Sequence, residues 1–146
     1  MVQGELRKGP FPAWLATVGR AGAPHVRPVF AAWSGSSFFI ASKRDAVKSR
    51  NMRADGRCSV SADLGSLHVV IEGQAQRVTG PEQLQEASRA MREVYDWPTR
   101  VAGEELDADY AAPTSGGPPL EVYEIRPQKA LGFPAGDGFE PTRWRF

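Results

Sequence analysis

The stretch from Leu67 to Val78 constrains the fold most. Its odd positions Leu67, Val69, Ile71, Gly73 and Ala75 are apolar or small. Its even positions His68, Glu72, Gln74 and Gln76 are polar, with Val70 the exception. Successive side chains of an extended chain point to opposite faces, so this alternation predicts one long strand with a buried face. Further extended runs lie on either side of it. Ala13–Val18 is apolar and partly β-branched, and the breaker-rich turn Gly19-Arg20-Ala21-Gly22-Ala23-Pro24 follows it. His25–Trp33 is a second extended run, Gly35-Ser36 a turn, and Ser37–Ala41 a third strand. Short connections predict an antiparallel meander of these three. Arg57–Asp63 is a fourth strand, turned into the long one by Leu64-Gly65-Ser66. Leu120–Ile125, extended by Lys129–Phe133 past Pro127, and Pro141–Phe146 complete the set.

Two segments depart from β texture. Asp45–Arg53 has no alternation and reads as a helix of about two turns, with Asp45 as its cap. Pro81 suits the first position of a longer helix, with Thr79 or Gly80 as cap. Leu84, Ala87, Met91 and Val94/Tyr95 recur at helical spacing, so one face is expected to pack on the sheet and plug one end of it. Asp96–Asp109 is acidic and reads as a loop with a helical turn, and Ala111–Pro119 as a breaker-rich loop. No repeat is present. The expectation is a mainly β fold in one domain, residues 1–146: about six or seven antiparallel strands in a small barrel, with one substantial helix.

Composition narrows the function classes. Hydrophobic residues make up 41 % and charged residues 24 % of the 146, which excludes disorder for the chain as a whole. Eighteen basic against seventeen acidic side chains leave a net charge of +1, which counts against binding nucleic acid through bulk charge. A small oligonucleotide-binding barrel, suggested by Arg50, Arg53 and Arg57 beside aromatics, is disfavoured on the same ground. No apolar run approaches the roughly 20 residues that span a bilayer. The first residues carry no basic patch followed by an apolar core, so no secretion signal and a cytoplasmic location are expected. The single cysteine, Cys58, excludes an intrachain disulfide and a cysteine-cluster metal site. Lying mid-strand, it reads as a buried, inert thiol. Neither His25 nor His68 stands in metal-ligand spacing, and no metal is expected. There is no Gly-x-Ser-x-Gly elbow, Walker loop or Gly-x-Gly-x-x-Gly turn. An enzyme of this composition would leave the hard chemical step to a bound cofactor.

One stretch is suited to hold such a cofactor. Ser42-Lys43-Arg44-Asp45-Ala46-Val47-Lys48-Ser49-Arg50-Asn51-Met52-Arg53 carries five basic groups and two hydroxyls where a strand gives way to a helix. A helix start offers free N–H groups and partial positive charge, and neighbouring Lys and Ser side chains would complete a phosphate site. A solvated basic helix gives the same run of residues.

Three ordered segments resemble a known family. They are Trp14-Leu15-Ala16-Thr17-Val18 through Gly22-Ala23-Pro24-His25-Val26-Arg27-Pro28-Val29-Phe30, then Lys48-Ser49-Arg50-Asn51-Met52-Arg53-Ala54-Asp55-Gly56-Arg57, then Val70-Ile71-Glu72-Gly73-Gln74-Ala75. Together they are similar to the FMN-binding split-barrel superfamily, the pyridoxamine 5′-phosphate oxidase-like proteins. The ending Thr142-Arg143-Trp144-Arg145-Phe146 is similar to that of one bacterial branch. The resemblance implies a six- to seven-stranded antiparallel split barrel. It also implies a homodimer with two cofactor sites at the subunit interface, and hydride transfer between FMN and a small organic substrate. Coenzyme F420, a deazaflavin, is the alternative cofactor, and a non-catalytic flavin carrier the alternative role. Carried over by position, Arg27, Val29 and Phe30 would lie near the cofactor. Ser42, Lys43, Lys48, Ser49 and Asn51 would form the phosphate corner. His68 would either reach the ring or be a surface or interface histidine. Arg143 and Trp144 would either approach the ring from the partner chain or anchor the C-terminus. The family oxidase's C-terminal Arg and His constellation is not evident, and Gly56 stands where proline is common, which points away from pyridoxamine phosphate as the substrate. No side chain is assigned as acid or base.

Overall fold

The computed structural model describes residues 2–111, 116–136 and 141–146. Its elements in chain order are α1 (Val2–Arg7), β1 (Ala13–Val18), a short 3-10 turn (Arg20–Gly22), β2 (Pro24–Pro28), β3 (Ala32–Trp33), β4 (Phe38–Ser42) and α2 (Val47–Ala54). There follow β5 (Arg57–Asp63), β6 (Leu67–Val78), α3 (Pro81–Tyr95), β7 (Thr99–Ala102), β8 (Glu105–Ala108), β9 (Glu121–Pro134) and β10 (Thr142–Arg145). The fold is mainly β and of split-barrel type.

The main sheet runs β2-β1-β5-β6-β9-β4-β3, with β10 also paired to β9, and every pairing is antiparallel. The alternation that marks β6 in the sequence is its burial pattern in the fold: Val69, Ile71 and Ala75 point into the core. Sheet order explains the curl. β2 and β3 lie at opposite ends of the seven-strand path, yet only Val29–Ala31 separates them in the chain. Six strand spacings in a flat sheet would part them by about 29 Å. The four peptide steps from Pro28 to Ala32 reach at most about 15 Å. The sheet must roll to bring its edges within that reach.

The single run expected over His25–Trp33 is therefore two strands: both antiparallel pairings expected of the meander form, β2 with β1 and β3 with β4, but the run breaks at Val29–Ala31 and β4 pairs on its other side with β9. Three other boundaries differ. Asp45 does not cap α2; the cap is Ala46, with no side-chain hydrogen bond. The acidic segment expected to be a loop with a helical turn holds the hairpin β7–β8, which buries Leu106 and Ala108. Its acidic side chains face out, where Asp107 and Asp109 pair with Arg100, both at 3.0 Å. Helix α1 has no counterpart in the expectations; its Leu6 is buried. Of the Ala111–Pro119 loop, residues 112–115 lie outside the described residues.

Helix α3 begins at Gly80-Pro81 as expected and ends at Asp96, whose left-handed backbone (φ 50°) turns the chain. Its face of Leu84, Ala87, Ala90, Met91 and Val94 is buried against β3, β4, β7, β8 and α1. Among the described residues, no helix is long and apolar enough to cross a membrane, and no group of three metal-ligating side chains occurs.

Candidate functional site

A cleft of about 570 Å³ opens beside β1, β2 and the start of α2. That volume suits a small cofactor. One wall is aromatic and apolar. Phe30 stacks on Tyr95 (4.3 Å between centroids, 16° between planes) and meets Trp97 edge-on at 5.9 Å. The Tyr95 hydroxyl accepts from the Ala31 amide at 3.1 Å, which fixes the stack from behind; burial pushes this phenol up to about 12. Trp14, Phe30 and Val47 remain 39–44 % exposed while lining the cleft, so apolar side chains face solvent there.

The cleft is also lined by basic side chains. His25 and Arg27 stand two apart on β2 and so share a face. Lys48 reaches the same cleft from the first turn of α2, with Ala46 and Val47 beside it. Neither Arg27 nor Lys48 forms an ion pair among the described residues. Burial, and then the field of Arg27, lowers the Lys48 pKa. Burial, then Arg27, then Lys48 lower that of His25. The buried His25 Nδ1 has no hydrogen-bond partner. Two cations and an imidazole thus converge with helix-start N–H groups, with no carboxylate among the described lining residues, an arrangement that attracts an anion.

The other expected site residues take different positions. Ser42 and Ser49 are buried and hydrogen-bonded to each other at 2.7 Å, and Ser49 Oγ also reaches the Lys43 carbonyl at 2.7 Å. Asn51 Nδ2 donates to Thr17 Oγ1 at 3.0 Å, tying α2 to β1. These three hold the corner together from inside. Lys43 is directed to the Gly116 carbonyl at 3.1 Å. His68 lies outside the cleft on β6, half-exposed, with Nε2 3.6 Å from Asp63 Oδ1. Arg143 and Trp144 sit on exposed β10, where the Trp144 ring covers Gly132; a Cβ at that glycine would meet the ring at 3.1 Å. In this chain the cleft gathers Arg27, Val29, Phe30 and Lys48, and leaves His68, Arg143 and Trp144 elsewhere.

Sequence reasoning missed His25, Trp14, Val47 and Trp97 as cleft residues. The i, i+2 relation to Arg27 was the available signal for His25. It also missed Glu121, which is fully buried behind α2. Arg53 Nη1 donates to Glu121 Oε2 at 2.9 Å and to the Tyr123 hydroxyl at 3.1 Å, while Tyr123 donates to Glu121 Oε2 at 2.5 Å. Arg44 and Arg77 approach Glu121 Oε1 at 3.9 and 3.8 Å. Burial, and then the hydrogen bond to Glu121, push the Tyr123 phenol up to about 12. Cys58 is buried with its Sγ toward the Gly73 carbonyl, and burial pushes its thiol up to about 12.

A family model described as pyridoxamine 5′-phosphate oxidase matches residues 4–132. The chain belongs to the pyridoxamine 5′-phosphate oxidase family. Solved structures similar to this family member share its fold. A heme-binding protein from Mycobacterium smegmatis matches at TM-score 0.69 and 19 % identity, over 99 % of this chain and 58 % of that one. The chain thus spans little more than half of that neighbour's length. A conserved hypothetical protein from Mycobacterium tuberculosis matches at TM-score 0.68 and 20 % identity, over 91 % and 82 % of the two chains. An F420 reductase matches at TM-score 0.57 and 22 % identity, over 86 % and 92 %. No curated protein matches by sequence.

Proposed function

We propose that this chain is a cytoplasmic, homodimeric oxidoreductase that binds FMN in the cleft and transfers a hydride between it and a small organic substrate. One observation carries the reading. One cleft is lined both by Arg27, Lys48 and the start of α2, the two cations forming no ion pair among the described residues, and by the aromatic Trp14, Phe30 and Trp97. A planar dye with a phosphate tail has the matching halves. Arg27, Lys48 and the α2 amides would hold the phosphate. Val29 and Phe30 would flank the ring, and Ser42, Lys43, Ser49 and Asn51 would keep the corner in shape. A second copy of the chain would cover the apolar mouth and bring its own His68, Arg143 and Trp144 toward the ring. When bound, the flavin supplies the redox centre. The chain's own residues orient the tail, stack the ring and exclude water, so that donor and acceptor atoms can meet at roughly 3–3.5 Å.

Coenzyme F420 is the second reading, favoured by the neighbouring cations Arg27 and Lys48 with the His25 imidazole beside them, which would serve a longer anionic tail. Titrating the purified protein with each dye and recording the visible spectrum separates the two. Lys48→Ala is expected to weaken binding of the preferred dye by about 1–3 kcal/mol, the worth of a charge-assisted contact. Unchanged affinity would remove Lys48 from the site. Binding without turnover of any acceptor would leave a flavin carrier.

A further inference from the structure

Behind α2 a cluster of charged and polar groups gathers round the buried Glu121 and Tyr123. Arg53 lies five residues beyond Lys48, about 140° further round the helix, and so faces away from the cleft. Its Nη2 donates to the Arg44 carbonyl at 3.0 Å, which closes the segment from Arg44 to Arg53 on itself with Lys48 in the middle. Its Nη1 is divided between Glu121 and Tyr123 on β9. The Tyr123 oxygen also lies 3.4 Å from the carbonyl of Ser49, the residue after Lys48. Glu121 is the fixed point. It has no exposed surface, it starts the long strand β9, and it pairs in register with Ser42 at the end of β4, where the basic segment begins.

Burying the Glu121 carboxylate against the partly exposed Arg53 is a poor way to gain stability alone, because desolvating the carboxylate offsets most of the attraction. It is an effective way to fix a geometry, because Arg53 presents a rigid fork that only one placement satisfies. We propose that Glu121 is a positioning residue for the anion corner: through Arg53 and Tyr123 it fixes the closed segment that carries Lys48, and so aims the Lys48 ammonium at the cofactor's phosphate. The inference rests on the reading that Lys48 holds a phosphate.

The test compares a dye that has a phosphate with one that lacks it. FMN and riboflavin are titrated into the full chain, wild type and variants, and read by flavin fluorescence; F420 and its phosphate-free chromophore replace them if F420 is the dye bound. Glu121→Gln is expected to weaken FMN about tenfold and riboflavin by less than about twofold, the size of coupling between residues sharing one network. Glu121→Gln combined with Lys48→Ala should bind FMN no more weakly than Lys48→Ala alone. Tyr123→Phe, which removes one hydroxyl and keeps the packing, guards against a Glu121 variant that does not fold and should show the same phosphate-selective loss. A merely structural role would lower the melting temperature and weaken both dyes alike, and that result overturns the inference. So does a phosphate-selective loss in Lys48→Ala that neither Glu121→Gln nor Tyr123→Phe reproduces; the cofactor reading survives it. If wild type binds neither dye, or if Lys48→Ala binds FMN as wild type does, the cofactor reading fails and the positioning role with it.

Discussion

His25 shows how a side chain can be read for its neighbours. Burial, Arg27 and Lys48 hold its pKa below the ordinary 6.5, so the folded chain resists protonating it. From about that value down to the lower folded-state pKa the unfolded state binds more protons than the folded one, and stability is lost as the pH falls through that window. His25→Asn is expected to flatten this acid loss. Urea unfolding at pH 7 and pH 5 checks it: the drop between the two should be smaller in the variant. Part of the cleft was legible from sequence, because Arg27 and Lys48 belong to ordered motifs and basic residues at a helix start have a stated chemistry. Glu121 was not. In Leu120-Glu121-Val122 it occupies the polar place of an alternating strand and reads as facing water, whereas its partner Arg53 stands 68 residues earlier. No local pattern announces a carboxylate neutralised from that far away.

Elements differ in how well the chain declares them. β6 and α3 carry long, regular periods and match their expected limits. β7–β8 is hidden, because four-residue strands offer too few alternations and the acidic composition resembles a loop; Gly103 with φ 62° was the one turn signal. β6 also has a feature that alternation cannot reveal. The register with β9 shifts between Glu72 and Gly73, and a Cβ at Gly73 would overlap the Arg126 carbonyl. The glycine lets two backbones approach at the irregularity. Gly73→Ala should destabilise the fold by about 1–3 kcal/mol, since one of the strands must move away. The denaturation midpoint measures this, and a midpoint equal to wild type would show that the close approach is dispensable.

The whole molecule presents an apolar cleft mouth at Trp14, Phe30 and Val47 beside β2, whose outer edge pairs with no other strand among the described residues. On the reading that a second copy covers this mouth, burying exposed apolar side chains would drive the association. Sedimentation velocity is expected to give a dimer. Val47→Glu, which places a carboxylate in that mouth, should shift the protein to monomer and weaken the dye together with it. A wild-type monomer at micromolar concentration would end the interface reading. The roll of the sheet has a further consequence. Both margins of the main sheet, β2 and β3, belong to one stretch of chain and are joined by Val29–Ala31, with Ala31 fully buried and its amide held by Tyr95. That tripeptide is a clasp. A circular permutant opened there would unfasten two strands at once, one of them the strand that bears Arg27, whereas a permutant opened at the exposed 3-10 turn Arg20–Gly22 would leave the clasp shut.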